Sequence, residues 1–193
     1  MSLALDAGAD AFGMIFAPSP RAIVWSVAED ISRRIPADAT PVAVFVNPSR
    51  DDVARVRELF PTAFVQLSGD EPVEFVRSLG GRVIKAVHVG GESSADIDRA
   101  CEAFAPALPL LDTKVADAYG GTGRTFDWSR ASSVARWRPL VIAGGLTPEN
   151  VGTCVRAARP FGVDVRSGVE TEGRIDAEKI RRFIRAVRES DAA

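Results

Sequence analysis

The aspartate best placed for proton chemistry is Asp112, which closes the apolar run Leu108-Pro-Leu-Leu-Asp. A carboxyl group at the C-terminal end of a buried strand stands where parallel α/β folds build their sites, and it can donate or accept a proton there. Taken alone, such an Asp is more often a structural cap of the next turn. Two glycine-bearing segments offer a different chemistry. Ala143-Gly144-Gly145-Leu146-Thr147-Pro148-Glu149-Asn150 runs from a strand end through two glycines into a helix start, a pattern that lets backbone N–H groups approach an anion. Asp164-Val165-Arg166-Ser167-Gly168-Val169-Glu170 follows the last apolar run and adds a hydroxyl, a cation and a glycine in the same kind of turn. Either could be a tight turn needing glycine only for its geometry, but together they point to a shared phosphate cup.

Four further features have two readings each. Arg21, in Pro18-Ser19-Pro20-Arg21, could pair with a carboxylate through its planar fork, or be a solvated loop arginine. His88, the single histidine, ends the run Val83 to Val87 and could take part in proton transfer, although a structural histidine is the usual case. Lys85 sits inside that run on the face of Val83 and Val87. It is either a polar residue of a barrel interior or a long stem reaching the rim. Tyr119-Gly120-Gly121-Thr122-Gly123-Arg124-Thr125-Phe126-Asp127-Trp128 has the glycine density of an active-site lid or of a plain connection, and it lacks the order of a P-loop.

Composition narrows the classes. The 193 residues carry a formal net charge of -2, with arginines scattered along helical segments, which argues against a nucleic-acid partner. The two cysteines, Cys101 and Cys154, lie in helix-like stretches without a ligand-spaced neighbour, which argues against a disulfide framework and a zinc site. No apolar run reaches membrane length and no signal-peptide pattern follows Met1, so a cytoplasmic protein is expected.

The elements that must position these residues read as βαβα. Strands are expected near Ala11 to Phe16, Val42 to Val46, Phe64 to Leu67, Arg82 to Val87, Leu108 to Leu111, Leu140 to Ala143 and Gly162 to Val165. Helix starts are expected at Ser26 with Glu29, at Thr147 with Pro148, and at Asp176. The last helix places Ile180, Phe183, Ile184 and Val187 on one stripe. Strands apolar nearly throughout, each followed by a helix, imply a covered parallel sheet, either open and doubly wound or closed as a barrel.

Read in order, GADAFGMIFAPSPR (Gly8 to Arg21), VAVFVN (Val42 to Asn47), VQLSGDE (Val65 to Glu71), VIKAV (Val83 to Val87), LLDTK with YGGTGRTFDW (Leu110 to Trp128), AGGLTPENV (Ala143 to Val151) and GVDVRSGVE (Gly162 to Glu170) resemble the phosphoribosylanthranilate isomerase family of tryptophan biosynthesis. The resemblance implies an α/β fold, a (βα)8 TIM barrel forming one domain over residues 1–193, with the first strand and part of the first helix expected ahead of Met1. It implies an Amadori rearrangement of N-(5-phosphoribosyl)anthranilate without metal or organic cofactor, on a small phosphosugar substrate, by a monomer or homodimer. Asp112 matches the general acid and Arg21 the residue that binds the anthranilate carboxylate. Gly144, Gly145, Ser167 and Gly168 fall in the phosphate cup.

Three departures accompany the match. The family's base is a cysteine in a Lys-Ile-Cys-Gly type motif at the end of the first strand, and that motif is absent here, so the 193-residue chain by itself is expected to lack turnover. The family usually has His where Ser68 stands, and commonly a small polar residue where Arg166 stands. The alternative reading is a non-catalytic or degenerate phosphate-binding barrel that has lost its base. A different phosphosugar barrel, such as indole-glycerol-phosphate synthase, fits the phosphate loops but not LLDTK with YGGTGRTFDW.

Overall fold

The structure, a computed structural model, describes residues 1–113 and 125–192. Seven βα-type units follow one another. They comprise α1 (Ser2–Asp6), β1 (Ala11–Ile15), α2 (Trp25–Ser32), β2 (Thr40–Phe45), α3 (Arg50–Leu59), β3 (Phe64–Leu67), α4 (Val73–Ser78), β4 (Val83–Val89), α5 (Ser94–Ala103) and β5 (Leu108–Thr113). A 3-10 turn over Trp128–Ala131 then leads into α6 (Ser132–Ala135), followed by β6 (Val141–Ile142), α7 (Val151–Ala158) and β7 (Gly162–Val163). A second 3-10 turn, Ser167–Val169, precedes the small hairpin β8 (Glu170–Thr171) and β9 (Arg174–Ile175), and α8 (Ala177–Asp191) ends the fold. Each of the seven apolar runs expected to be strands is one. The hairpin was not expected, because two-residue strands leave no periodic signal.

The choice between open sheet and barrel, which periodicity leaves open, is made by strand order. All seven strands are parallel and pair only with their neighbours in the chain, β1 through β7 without a crossover. Such an order has no reversal point, so right-handed connections put every helix on one face and the sheet curls about the other. The two faces are occupied accordingly. Outward, Phe12, Met14, Ala43, Phe45, Val65 and Leu67 pack with the early helices, while Val89, Leu111 and Ile142 pack with Ile97 of α5, Val155 of α7 and Phe183 of α8. Inward lies a smaller cluster of Ile84, Ala86, Leu110 and Ala143, bordered by Val42, Phe64, Leu108 and Val141. Strand alternation therefore puts Ile84, Ala86 and His88 of β4, and Leu108, Leu110 and Asp112 of β5, on the lumen side.

Within the described residues β1 and β7 each pair along one edge only. The two ends of the sheet are joined by side chains instead. Arg21, after β1, grips Glu170, after β7, and Arg188 of α8 donates to the Gly8 carbonyl at 3.0 Å.

Two of the three expected helix starts shift. Helix α2 begins at Trp25 with Val24 as its N-cap, which puts Ser26 inside the helix. Helix α7 begins at Val151, and Thr147 instead caps the preceding turn by accepting from the Glu149 N–H at 3.2 Å. Asp176 caps α8 as expected, accepting from the N–H groups of Glu178 and Lys179. Ile180 and Phe183 are buried on the expected stripe, with Ile184 and Val187 beside them.

Lys85 overturns both of its sequence readings. It lies on the helix side of β4 with Val83, not in the lumen, and it is 3% exposed, so it does not reach the rim. Its ammonium donates to the carbonyls of Leu67 and Gly69 and to Glu71 Oε2 at 2.8 Å, which uses all three of its protons. Glu71 Oε1 accepts from the N–H groups of Asn47 and Gly69. This pair ties the ends of β2 and β3 to the body of β4. Burial pushes the Glu71 carboxyl up, but the hydrogen bonds from Lys85 and Asn47 outweigh burial and hold it below its ordinary value of 4.5.

Cys101 on α5 and Cys154 on α7 face the helix-side core at 1% and 0% exposure. Burial pushes both thiols up to about 12.

Removing one partner of a buried, fully satisfied ion pair strands the other charge, so Lys85→Met is expected to cost about 3–5 kcal/mol in urea unfolding, and a loss under about 1 kcal/mol would contradict this account. Because the folded Glu71 value lies below the unfolded one, its contribution is complete above about pH 4.5 and disappears as pH falls through the folded value. The acid limb of stability should flatten in Lys85→Met. An aromatic disulfide reagent at pH 8 should label neither cysteine in the folded protein and both after unfolding, as followed by absorbance.

Candidate active site

Because the strands are parallel, their carboxyl ends share one rim, and the inward layer nearest that rim decides the chemistry. His88 and Asp112 are register partners on β4 and β5. The ladder continues past the regular strands through Ala143 N–H to the Leu111 carbonyl at 2.8 Å and Asp164 N–H to the Ile142 carbonyl at 2.9 Å, bringing Ala143 and Asp164 into the same layer. His88, Asp112 and Asp164 thus converge from β4, β5 and the end of β7.

Asp112 is partly buried, and its Oδ1 accepts no hydrogen bond from the described residues. Burial raises its pKa, while His88, the Thr113 N–H and Arg166 pull it down to a lesser extent. Asp164 is open to water at the mouth yet surrounded by protein. That crowding comes first in raising its pKa, the charge of Asp112 comes next, and Arg166 and the Val165 N–H oppose them. Two carboxyls with raised pKa values, flanked by an arginine and a histidine, can hold a proton that an isolated surface aspartate would lose.

Gly144 allows Asp112 its place. Its φ is +86°, and a Cβ there would lie 2.5 Å from Asp112 Oδ1 and 2.6 Å from Thr113 Oγ1. Gly145, also at positive φ, passes its carbonyl to the Asn150 side-chain amide at 2.9 Å, and Asn150 Oδ1 accepts from the Thr147 N–H. The N–H groups of Gly145 and Leu146 meet no acceptor among the described residues. Across from them the 3-10 turn begins at Ser167, and Gly168 presses on the neighbouring loop so closely that a Cβ would sit 1.8 Å from the Leu146 carbonyl oxygen. The two glycine segments therefore form one cup lined by backbone amides.

Arg21 stands on the same rim, its Nε and Nη2 donating to the two carboxylate oxygens of Glu170 at 2.8 and 2.5 Å. Ser68 presents its carbonyl to His88 Nε2 at 3.2 Å and its hydroxyl to the Gln66 amide. The glycine-rich stretch Tyr119 to Arg124, expected to act as a lid, lies outside the described residues, as does Lys114. Cys101 and Cys154 sit on helices in the outer core, away from this layer.

The sequence reading placed Asp112, Arg21, Gly144, Gly145, Ser167 and Gly168, and all six stand on the one rim. It missed Asp164 and Glu170. Asp164 follows the same rule as Asp112, an acid closing an apolar run, but its strand has only two residues and the run is correspondingly faint. Glu170 had no local signal. Among the described residues no group of three or more His, Cys, Asp or Glu is placed to hold a metal ion, and no helix is long and apolar enough to cross a membrane.

The family model for N-(5'-phosphoribosyl)anthranilate isomerase matches residues 1–186. An N-(5'-phosphoribosyl)anthranilate isomerase of Desulforudis audaxviator is 43% identical over 187 residues, covering 97% of this chain and 91% of that protein. The crystal structure of phosphoribosyl anthranilate isomerase from Thermotoga maritima superposes with a TM-score of 0.85 at 39% identity, covering 97% of this chain and 92% of that one. A second crystal structure of the isomerase, in complex with reduced 1-(o-carboxyphenylamino)-1-deoxyribulose 5-phosphate, gives a TM-score of 0.82 at 37% identity, again over 97% and 92%. Strand order and these matches agree, and the chain belongs to the N-(5'-phosphoribosyl)anthranilate isomerase family.

Proposed function

We propose that this chain serves the reaction for which its family is named, the Amadori rearrangement of N-(5'-phosphoribosyl)anthranilate to 1-(2-carboxyphenylamino)-1-deoxyribulose 5-phosphate, in a cytoplasmic setting. The observation that carries the reading is Asp112, a carboxyl group on the inner rim whose burial favours the protonated form and whose Oδ1 has no hydrogen-bond partner among the described residues. Its proton passes to the ribose ring oxygen as the C1–O bond breaks, giving an open-chain Schiff base. Loss of the C2 proton to a base then gives the enolamine, which tautomerises to the ketone.

The cup of Gly144, Gly145, Ser167 and Gly168 suits the 5'-phosphate, since unpartnered N–H groups at a loop between strand and helix make a ready anion site. Arg166, beside both aspartates, adds positive charge at the same mouth. Arg21 suits the anthranilate carboxylate, because a guanidinium retains a second donor edge when one is occupied. Of this chain's cysteines neither reaches the rim, and thiols pushed up to about 12 stay protonated near neutral pH and cannot accept a proton, so Cys101 and Cys154 have no part in removing the C2 proton.

One observation favours a second reading, a phosphate-binding barrel without turnover. The rim carries an acid and an anion cup, but no residue in it is a cysteine. Anthranilate fluorescence during in situ formation of the substrate separates the two. The isomerase reading expects turnover when a strand carrying a Lys-Ile-Cys-Gly type motif is supplied ahead of residue 1, with Asp112→Asn lowering kcat of that protein by about 10²- to 10⁴-fold while the affinity for the reduced product analogue stays within a few-fold. Because Asp112 acts as an acid, the rate should fall as pH rises through its raised pKa. Tight binding of the analogue with no turnover at any pH even after that strand is supplied would leave the second reading standing.

A further inference from the structure

The contact between Arg21 and Glu170 spans 149 residues of chain, and its two partners are unequally held. Glu170 directly follows the 3-10 turn of the phosphate cup and opens the β8–β9 hairpin. Its own carbonyl accepts from Lys179 Nζ at 2.7 Å, the preceding Val169 carbonyl accepts from the Asp176 N–H at 2.9 Å, and Thr171 Oγ1 donates to Asp176 Oδ2 at 2.8 Å. The backbone of Glu170 is thereby pinned to the start of α8, and its side chain is only 9% exposed. Arg21 sits in an irregular segment after β1, its backbone N–H resting on Ser19 Oγ, with its side chain 37% exposed.

We infer that Glu170 is a positioning residue that aims Arg21 at the substrate carboxylate and holds it at a set distance from the phosphate cup. The inference rests on the reading of Arg21 given above and deepens it. Glu170 occupies the Nε/Nη2 edge of the guanidinium and leaves the edge formed by Nη1 and the outer proton of Nη2 as a second fork. A planar ion already held by one bidentate pair has lost most of its rotational freedom, so the second carboxylate meets an oriented partner. Since Glu170 lies three residues beyond Ser167, the same short segment sets the spacing between the two anionic ends of the ligand. A ligand carrying phosphate and carboxylate at the matching separation is selected over one carrying phosphate alone.

The test compares two ligands by calorimetry: reduced 1-(o-carboxyphenylamino)-1-deoxyribulose 5-phosphate, and its phenylamino counterpart without the carboxylate. Wild-type protein should prefer the first, and Arg21→Ala should erase the preference. Glu170→Gln should weaken the carboxylate-bearing ligand by roughly tenfold and leave the other within about twofold, with Glu170→Asp intermediate. If Arg21→Ala leaves the preference intact, the carboxylate reading of Arg21 falls. If Arg21→Ala erases it while Glu170→Gln keeps or increases it, that reading stands and the positioning role of Glu170 falls. Equal weakening of both ligands by Glu170→Gln would also overturn the inference, by showing that Glu170 supports the whole cup.

Discussion

A parallel sheet in which every strand pairs only with its neighbours in the chain must put all its carboxyl ends on one rim and curl one face inward. The period of two along each strand then decides which residues meet there. His88, Asp112 and Asp164 face one another because each falls on the even, lumen-facing position at the end of its strand. A one-residue slip in any of these strands would turn its rim residue toward the helices. The Lys85–Glu71 pair stabilises that register from the other face, since it joins the ends of β2 and β3 to the body of β4.

The rim concentrates opposing charges in a small, partly dry space. Two carboxyls whose pKa values are raised by their surroundings stand between a guanidinium and an imidazole, and the glycines beside them bring the backbone close enough to crowd Asp112. The same surroundings that shift a carboxyl from its ordinary range also leave Asp112 Oδ1 without a partner among the described residues, which is costly in the folded chain unless a ligand supplies one. Gly168 shows a comparable constraint in steric form, because nothing larger fits between its loop and Leu146.

Much of this was legible in the sequence, and for identifiable reasons. Apolar runs between glycine and proline marks gave all seven sheet strands, and an acid closing such a run pointed to Asp112. The face of Lys85 was misjudged because strands covered on both sides are apolar at odd and even positions alike, so alternation shows which residues share a face but not which face is inner. Ser26 satisfies the capping pattern with Glu29, yet the N-cap is Val24 and the helix starts two residues earlier than that pattern implies, at Trp25, whose ring packs on Phe16 at 4.8 Å, so tertiary contact prevails over the local signal. Glu170 was not legible at all. Its meaning lies in a partner on the opposite end of the chain, and no local pattern encodes that.

The neighbour-only order of the strands also bears on how the molecule comes together. Each pairing closes a loop of one βα unit, for which the entropic cost is modest, so the sheet can grow from any stretch by adding the next unit on either side. The contacts that cross from the first unit to the last, Arg21 with Glu170 and Arg188 with the Gly8 carbonyl, close by far the longest loops, so they cost more entropy than any neighbouring pairing unless the units between them are already assembled. The two ends of the proposed ligand site, carboxylate fork and phosphate cup, would then acquire their mutual spacing only when the seam has formed.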